Sequence, residues 1–411
     1  MQAPAAAEDK SPPENLLEQL GSKDFAEREQ AAKLLQARGP SVLAILRQGL
    51  NHSDAEVRRR VQALLPPLEA LVALEPKRVT LKADKQSLSA AIKEINKQTG
   101  YHLEFDGNDG GKVYAFEMKG VPFWEALERL RRQSNEAVNI QFLEKEIQLK
   151  KREGRPTFIS VNGPFRMEVI QLHEDRDIDF TEAGKGKEIG LRDHRLTLTV
   201  SVVVEPRFIL IAVDKAHVEI ALDEERKLLQ SPQDDSERPN RRMHSMREIL
   251  DMECLLKSQV ALQRSSETAK SIKSIRGNIP VVVVVERKQV VVTDKVLESK
   301  GAKCRVGNGT LMIKESEIDE KGDYQITIAL PADQDGIRLL WHDRIFLEDA
   351  IGNKYKPHST TTTCSGNDQE VSYSYGQPKD PKVGPPSKLI IEDWVILRHS
   401  IPFEFKDVPL P

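Results

Sequence analysis

The chain has 411 residues, of which 39% are apolar and 30% charged, with a formal net charge of −3. That length implies two to four domains and the composition can fill several modest cores. The near-neutral balance gives no global reason to look for nucleic acid, and no stretch approaches the ~18 consecutive apolar residues of a membrane span.

Residues 1–13 are Ala, Pro, Ser and charge, the composition of a disordered segment. The opening Met1-Gln-Ala-Pro-Ala-Ala-Ala has neither a basic nor an apolar region of a signal peptide. It resembles residues that follow a cleavage site, and the expectation is an exported, periplasmic or envelope protein whose signal peptide is absent from this sequence. From Glu14 to Leu74 the period is helical. Asp24-x-x-Glu27 and Ser53-x-x-Glu56 read as capping boxes. Gly39-Pro40 reads as a helix stop followed by a start, and Pro66-Pro67 should kink or end the last helix. A shift of 30 residues lays Asp24 on Asp54, Arg28 on Arg58, Ala31 on Val61, Leu34 on Leu64 and Leu35 on Leu65. This unit resembles a HEAT-type helical repeat, about one and a half copies. So short an array needs a partner for Val57, Val61, Leu64, Leu65 and Leu68: its own other helices, the following domain or a second protein.

Residues 77–152 hold a second repeat. An extended run (Val79, Leu81) leads into the amphipathic stretch Leu88–Thr99, stopped by Gly100; a second run (Val113–Met118) leads into Phe123–Leu130. A shift of 35 residues lays Leu81 on Phe116, Leu88 on Phe123, Ala91 on Ala126, Ile92 on Leu127 and Ile95 on Leu130. The spacing i, i+3, i+4, i+7 puts these on one helical face. Strands at Tyr101–Phe105, Val138–Phe142 and Ile147–Leu149 follow, and the two helices should cover one small sheet. The stretches VTLKADKQSLSAAIKEINKQTGYHLEF and FEMKGVPFWEALERL resemble the secretin and TonB short N-terminal domain. That resemblance implies a protein-interaction module of the bacterial envelope, with no catalytic residues to carry over.

After the linker Lys150–Pro156 the period becomes two. Phe165–Leu172, Leu196–Val204, Phe208–Val213, Val218–Leu222, Leu255–Leu262, Ile279–Val285 and Gln289–Thr293 read as strands. The five consecutive valines suit a strand buried on both faces, and Glu286-Arg-Lys-Gln289 reads as a charged hairpin turn. Gln230–Met246 reads as a long loop. The strand pattern continues to Pro411, with Ile401–Leu410 as a final docked segment. The expected fold class is multidomain α+β: a disordered 1–13, a short α-helical (HEAT-like) repeat at 14–74, a small duplicated βαβ module at 77–152, and two antiparallel β-sandwich (Ig-like) domains at 156–294 and 295–411. One larger two-sheet unit is the alternative around Asp294. The order of parts resembles a type of bacterial envelope protein.

Signatures of chemistry are sparse. G-x-S-x-G, H-E-x-x-H and the P-loop pattern do not occur. Gly107–Gly111 sits between strands, where a hairpin turn is the simpler reading. His173, Asp175, Asp177, Asp179 and His194 have some cation-site flavour but lack a closing Glu, and Asp223–Glu225 and Asp333–Gly336 are weaker still. Cys254, Cys304 and Cys364 are dispersed and odd in number, which suits buried thiols, with one disulfide and one unpaired thiol as the alternative. Arg58–Arg60, Arg129 with Arg131 and Arg132, and Lys150–Arg152 read as solvated charge. Trp124, Trp341 and Trp394 suit cores better than sugar platforms, whereas Tyr373 and Tyr375 share one strand face and form an aromatic contact pair if that face is exposed.

The expectation is therefore a non-enzymatic scaffold of the envelope, with no cofactor and no metal, docking a protein partner through the small module. Lys85, Lys93 and Lys97 are candidates for the polar rim of that surface. Polysaccharide binding by the β-rich half, through the loops Gln230–Met246 and His358–Gln369, is the alternative. A catalytic triad assembled from distant residues is recognised by geometry rather than spacing, so an enzyme stays open as a third reading.

Overall fold

The computed structural model describes residues 11–106, 111–134, 138–143, 146–151, 158–178, 191–230, 255–264, 268–306, 309–330, 344–355, 357–365, 368–378, 380 and 382–411. It is mixed, with 25% helix and 52% strand and several antiparallel sheets.

Four helices come first: α1 (Pro13–Gln19), α2 (Phe25–Ala37), α3 (Leu43–Gly49) and α4 (Ala55–Ala73). The 30-residue repeat is visible atom by atom. Asp24 caps α2 by accepting from the Ala26 amide at 2.8 Å, and Asp54 caps α4 by accepting from the Glu56 amide at 2.7 Å. Arg28 donates to the Ser22 and Lys23 carbonyls, and Arg58 donates to those of His52 and Ser53. The cap of α4 is thus Asp54 and not Ser53, whose carbonyl serves Arg58 instead. Helix α4 also runs through Pro66 and Pro67 rather than stopping there. Both prolines lie on its exposed side, where water can serve the carbonyls of Gln62 and Ala63 that lose an amide donor. The buried side, Val57, Val61, Leu64, Leu65 and Leu68, packs with Leu16, Leu20, Leu35 and Leu46 of the other helices. Leu74, just past α4, joins the core of the β-rich part instead.

The second repeat gives β1 (Arg78–Gln86), α5 (Leu88–Thr99), β2 (Leu103–Asp106), β3 (Tyr114–Pro122), α6 (Phe123–Ser134), β4 (Val138–Leu143) and β5 (Glu146–Lys151). Ser87 caps α5 through the Ala90 amide, and Gly100 ends it at φ 74°, a conformation that costs glycine no Cβ clash. All ten positions matched by the 35-residue shift are buried. The strands do not form one sheet. Those that precede the helices pair with each other, β1 against β3, while β2, β5 and β4 form a separate three-stranded sheet. Like pairs with like because each copy hands its chain through a helix to the next layer. One core, from Val79 to Leu149, lies between them.

The β-rich part begins with β6 (Phe158–Asn162), β7 (Phe165–Ile178), β8 (Leu191–Val204), β9 (Ile209–Val213), β10 (His217–Asp223), β11 (Leu255–Gln263) and β12 (Ser271–Thr293). It continues with β13 (Lys303–Val306), β14 (Gly309–Ile318), β15 (Tyr324–Leu330), β16 (Ile345–Asp349), β17 (Lys354–Tyr355), β18 (Ser359–Ser365), β19 (Asp368–Tyr375) and β20 (Pro386–Pro409). One antiparallel sheet runs β11-β8-β7-β6 and another β13-β14-β15-β19-β18. Between them in the chain's economy stands the sheet β10-β12-β20-β16-β17, with β9 also on β12.

Strand β12 continues through Glu286–Gln289, where a turn was expected, after a register shift between Val284 and Glu286, because β20 offers a comparably long opposing backbone: Arg287 pairs with Trp394 and Gln289 with Glu392. Val281 and Val283 face the first β core, while Val282 and Val284 pack on the other side with Ile209 and Ile211. Gly277 lies so close to the His217 carbonyl that a Cβ would stand 2.1 Å from it. The paired β12 and β20 run from Ser271 opposite Pro409 to Thr293 opposite Leu389. Consequently Ile401, Phe403, Phe405 and Val408 complete the first β core, whereas Val290, Val292, Leu389 and Ile391 belong to the second. A division at Asp294 does not describe this arrangement, since both cores draw on the same two strands.

Candidate interaction surface and the junction that holds it

The residues singled out in the sequence separate into two groups. Lys85 stands near the end of β1, and Lys93 and Lys97 lie one turn apart on α5; all three are exposed. Tyr373 and Tyr375 do share a face of β19, with ring centroids 6.1 Å apart, but that face is the core and both are 0% exposed. They are not a surface contact pair, because β19 lies inside its sheet and its odd-numbered residues point at the opposing layer.

The other candidates are equally specific in position. His173 meets Asp175 at 3.0 Å on an exposed strand, while the side chains of Asp177, Asp179 and His194 lie outside the described residues. Among the described residues no group of three or more His, Cys, Asp or Glu is placed to hold a metal ion. Glu224 accepts from the Lys270 and Ser271 amides, which hold its carboxyl down at about 2. Asp223 is buried and accepts from the Lys227 amide. Trp394 is half-buried beneath the Arg344 guanidinium, 4.6 Å from its ring. Cys304 is a free thiol whose pKa burial raises. Residues 359–365, expected within a loop, form strand β18, since Thr360 to Cys364 find partners along β19. Gly107–Gly110, residues 231–246, Asp333–Gly336, Trp341 and Cys254 lie outside the described residues, as does the side chain of Cys364.

The most developed constellation is the junction that fixes the α/β module to the sheet β11-β8-β7-β6. Helix α6 buries two faces. Phe123, Ala126, Leu127 and Leu130 fill the module's own core. Trp124, Glu128 and Arg131, spaced i, i+4, i+7, turn toward the sheet. The Trp124 indole donates to the Pro164 carbonyl at 2.9 Å. Arg166, on β7, donates to Glu128 at 3.0 Å and to Glu168 at 2.9 Å, and Arg131 donates to Glu128 at 2.9 Å. Arg166 and Glu128 are both buried, so each charge depends on the other for solvation. Val203, whose neighbours Val202 and Val204 face the first β core, points the other way into the module core.

Glu205 closes the junction. It follows β8, is 0% exposed, and gives its amide to the Pro164 carbonyl at 2.9 Å. Its Oε2 accepts from the Tyr101 hydroxyl at 2.7 Å and from the Lys77 amide at 3.1 Å, with the Arg207 guanidinium 3.7 Å away. Its Oε1 is buried with no hydrogen-bond partner among the described residues. Burial raises this carboxyl above its ordinary pKa, against the lowering effect of Tyr101, Lys77 and Arg207. Arg207 also donates to the Glu75 carbonyl, which ties in the end of the helical segment.

Sequence reasoning did not find this junction. Glu205 sits in Val-Val-Glu-Pro-Arg with the look of a strand terminus, and Glu128 looks like one of several helix-surface charges. The available signal was positional: Glu128 falls one turn after Trp124, so a helix that buries the indole must also carry the carboxylate inward. Applying the 35-residue shift to that same face places Trp124 on Ser89, Glu128 on Lys93 and Arg131 on Asn96, while Lys97 matches Arg132, which is exposed on α6 as well. The face that α6 uses internally is thus the face on which α5 displays exposed Lys93, with exposed Lys97 one turn further along at its border. Comparison with protein-family models, characterised proteins and solved structures gives no match.

Proposed function

We propose that this chain is a non-enzymatic scaffold of the bacterial cell envelope, which docks a protein partner on helix α5 of its α/β module. The observation that carries the reading is the asymmetry of the duplicated helices. Two copies of one unit have equivalent outer faces; that of α6 is occupied by the chain's own β-sheet, and on α5 exposed Lys93 stands where α6 carries Glu128, with exposed Lys97 one turn further along. A partner that occupies α5 as the sheet occupies α6 would present carboxylates to Lys93 and Lys97, with Lys85 at the rim. The HEAT-like helical segment and the Ig-like sandwich character of the β-rich part support this scaffold reading, as does the likeness to secretin and TonB short N-terminal domains.

The test is capture from envelope extract with the parent chain and with K85E/K93E/K97E. Removal of 77–152 is the poorer control, because it would take Tyr101 and Lys77 from Glu205, take Glu128 from Arg166, and uncover Val203. A partner retained by the parent and lost by the triple variant, at an unchanged unfolding midpoint, supports docking on α5. Capture indifferent to the charge reversal sinks it.

A further inference from the structure

We infer that strand β18 is a self-association edge, pairing antiparallel with β18 of a second copy of this chain. Among the described residues it stands at the end of its sheet and hydrogen-bonds on one side only, to β19, from Ser359 opposite Ser374 to Ser365 opposite Asp368 without a register shift. The other side therefore presents a row of backbone amides and carbonyls. His358 to Thr363 are all exposed. Successive residues of a strand point to opposite faces, so neither face of β18 is covered over this length. Thr360 and Thr362 lie opposite Tyr373 and Val371, which are fully buried. The hydrophobic layer thus stops one strand short, and β18 projects beyond it.

Edge strands are ordinarily blunted by charge, proline, a bulge or shortness. The opposite edge of this sheet, β13, has four residues with Lys303 and Arg305 exposed. In the neighbouring sheet, β10 carries exposed Glu219 and two register shifts, and β17 has two residues. Strand β18 uses none of these devices. It is Ser-Thr-Thr-Thr-Thr-Cys-Ser, seven residues with no charge and no proline.

The same sequence selects the occupant. Ser359–Ser365 reads almost identically in both directions, so a two-fold antiparallel pairing sets threonine against threonine near its centre. Such pairs contribute cross-strand hydrogen bonds, and no like charges meet at any register. Either central register puts Thr361 on or beside the two-fold axis. One seven-residue edge is small against a standard interface of about 1,600 Å², so the association should be reversible and no tighter than about micromolar.

The experiment is sedimentation velocity on the full chain from about 5 to about 300 μM, a range that brackets such an affinity. The parent should show a concentration-dependent dimer. T361K and T361E should each weaken it by about tenfold or more through like-charge contact at the axis, with unfolding midpoints unchanged. An equimolar mixture of the two should recover it. A parent that stays monomeric, a dimer that survives T361K, or a mixture that does not recover would each overturn the inference.

Discussion

The Tyr101 hydroxyl donates to Oε2 of Glu205, 104 residues further along the chain, at 2.7 Å, while Oε1 of the same carboxyl has no partner among the described residues. A carboxyl so placed is held together with the module rather than with its own strand. Because burial raises its pKa, the folded chain binds this proton more tightly than the unfolded chain does. The stability it confers is complete below the ordinary Glu value and declines as pH rises through the raised folded value. E205Q should therefore flatten that part of the pH dependence and be at least as stable as the parent at the alkaline end. Urea midpoints between about pH 4 and pH 8 measure this. A steeper decline in E205Q would contradict it.

Y101F removes one of the two hydrogen bonds to Oε2 and leaves the ring in place against Phe123, 4.9 Å away. The expected cost is about 1–3 kcal/mol, since a buried acceptor loses its donor. In the E205Q background the cost should shrink. A double-mutant cycle by denaturant unfolding reports that coupling directly.

The Glu128–Arg166 pair should show a different signature. E128A leaves the buried guanidinium with Glu168 alone and should cost about 3–5 kcal/mol. Replacing both partners with apolar residues of similar volume, E128L/R166M, should cost much less. Chemical denaturation of the single and double variants decides this, and equal losses would mean that packing, not charge, dominates the site.

The caps of the helical repeat make a sharper discrimination. D54A should lower stability by about 1 kcal/mol through the lost bond to the Glu56 amide. S53A should be close to neutral, because the Ser53 carbonyl, not its hydroxyl, receives Arg58. Thermal unfolding of the two variants orders them.

Phe403 tests the shared-strand architecture. It lies in the C-terminal segment yet packs with residues of the first β core. F403A should cost about 3–5 kcal/mol and affect amide exchange in β7 and β8 more than in β15 and β19. Loss of protection confined to the second β core would argue against the assignment.

Much of this was legible in the sequence because it is periodic. Two internal shifts, of 30 and 35 residues, located matching bonds at Arg28 and Arg58 and ten buried positions in the module. Alternation located strands such as β7, β8, β15 and β19, but not β18, which reads as loop. What it could not supply is what lies across from a strand. Val371, Tyr373 and Tyr375 alternate with serines either way, and only the opposing layer makes that face a core. Glu286–Gln289 has a turn's composition, yet the long partner β20 keeps it extended. Pro66 and Pro67 are tolerated because of the side of α4 they occupy. Glu205 and Glu128 depend on contacts between segments far apart in the chain, for which no local pattern exists.

The pairing of β12 with β20 across both β cores, shifted in register between Val284 and Glu286 and again between Val291 and Thr293, has a mechanical consequence. A strand of 23 residues spans on the order of 70 Å when extended. The register shift near Val285 gives the ribbon a local bend and twist, but swivelling the two β cores as an ordinary linker does would require breaking ladder bonds on either side of it. The chain should therefore act as a strut: a load applied at one core reaches the other as tension or shear along a shared ribbon, and whatever the two ends hold is kept at a fixed spacing.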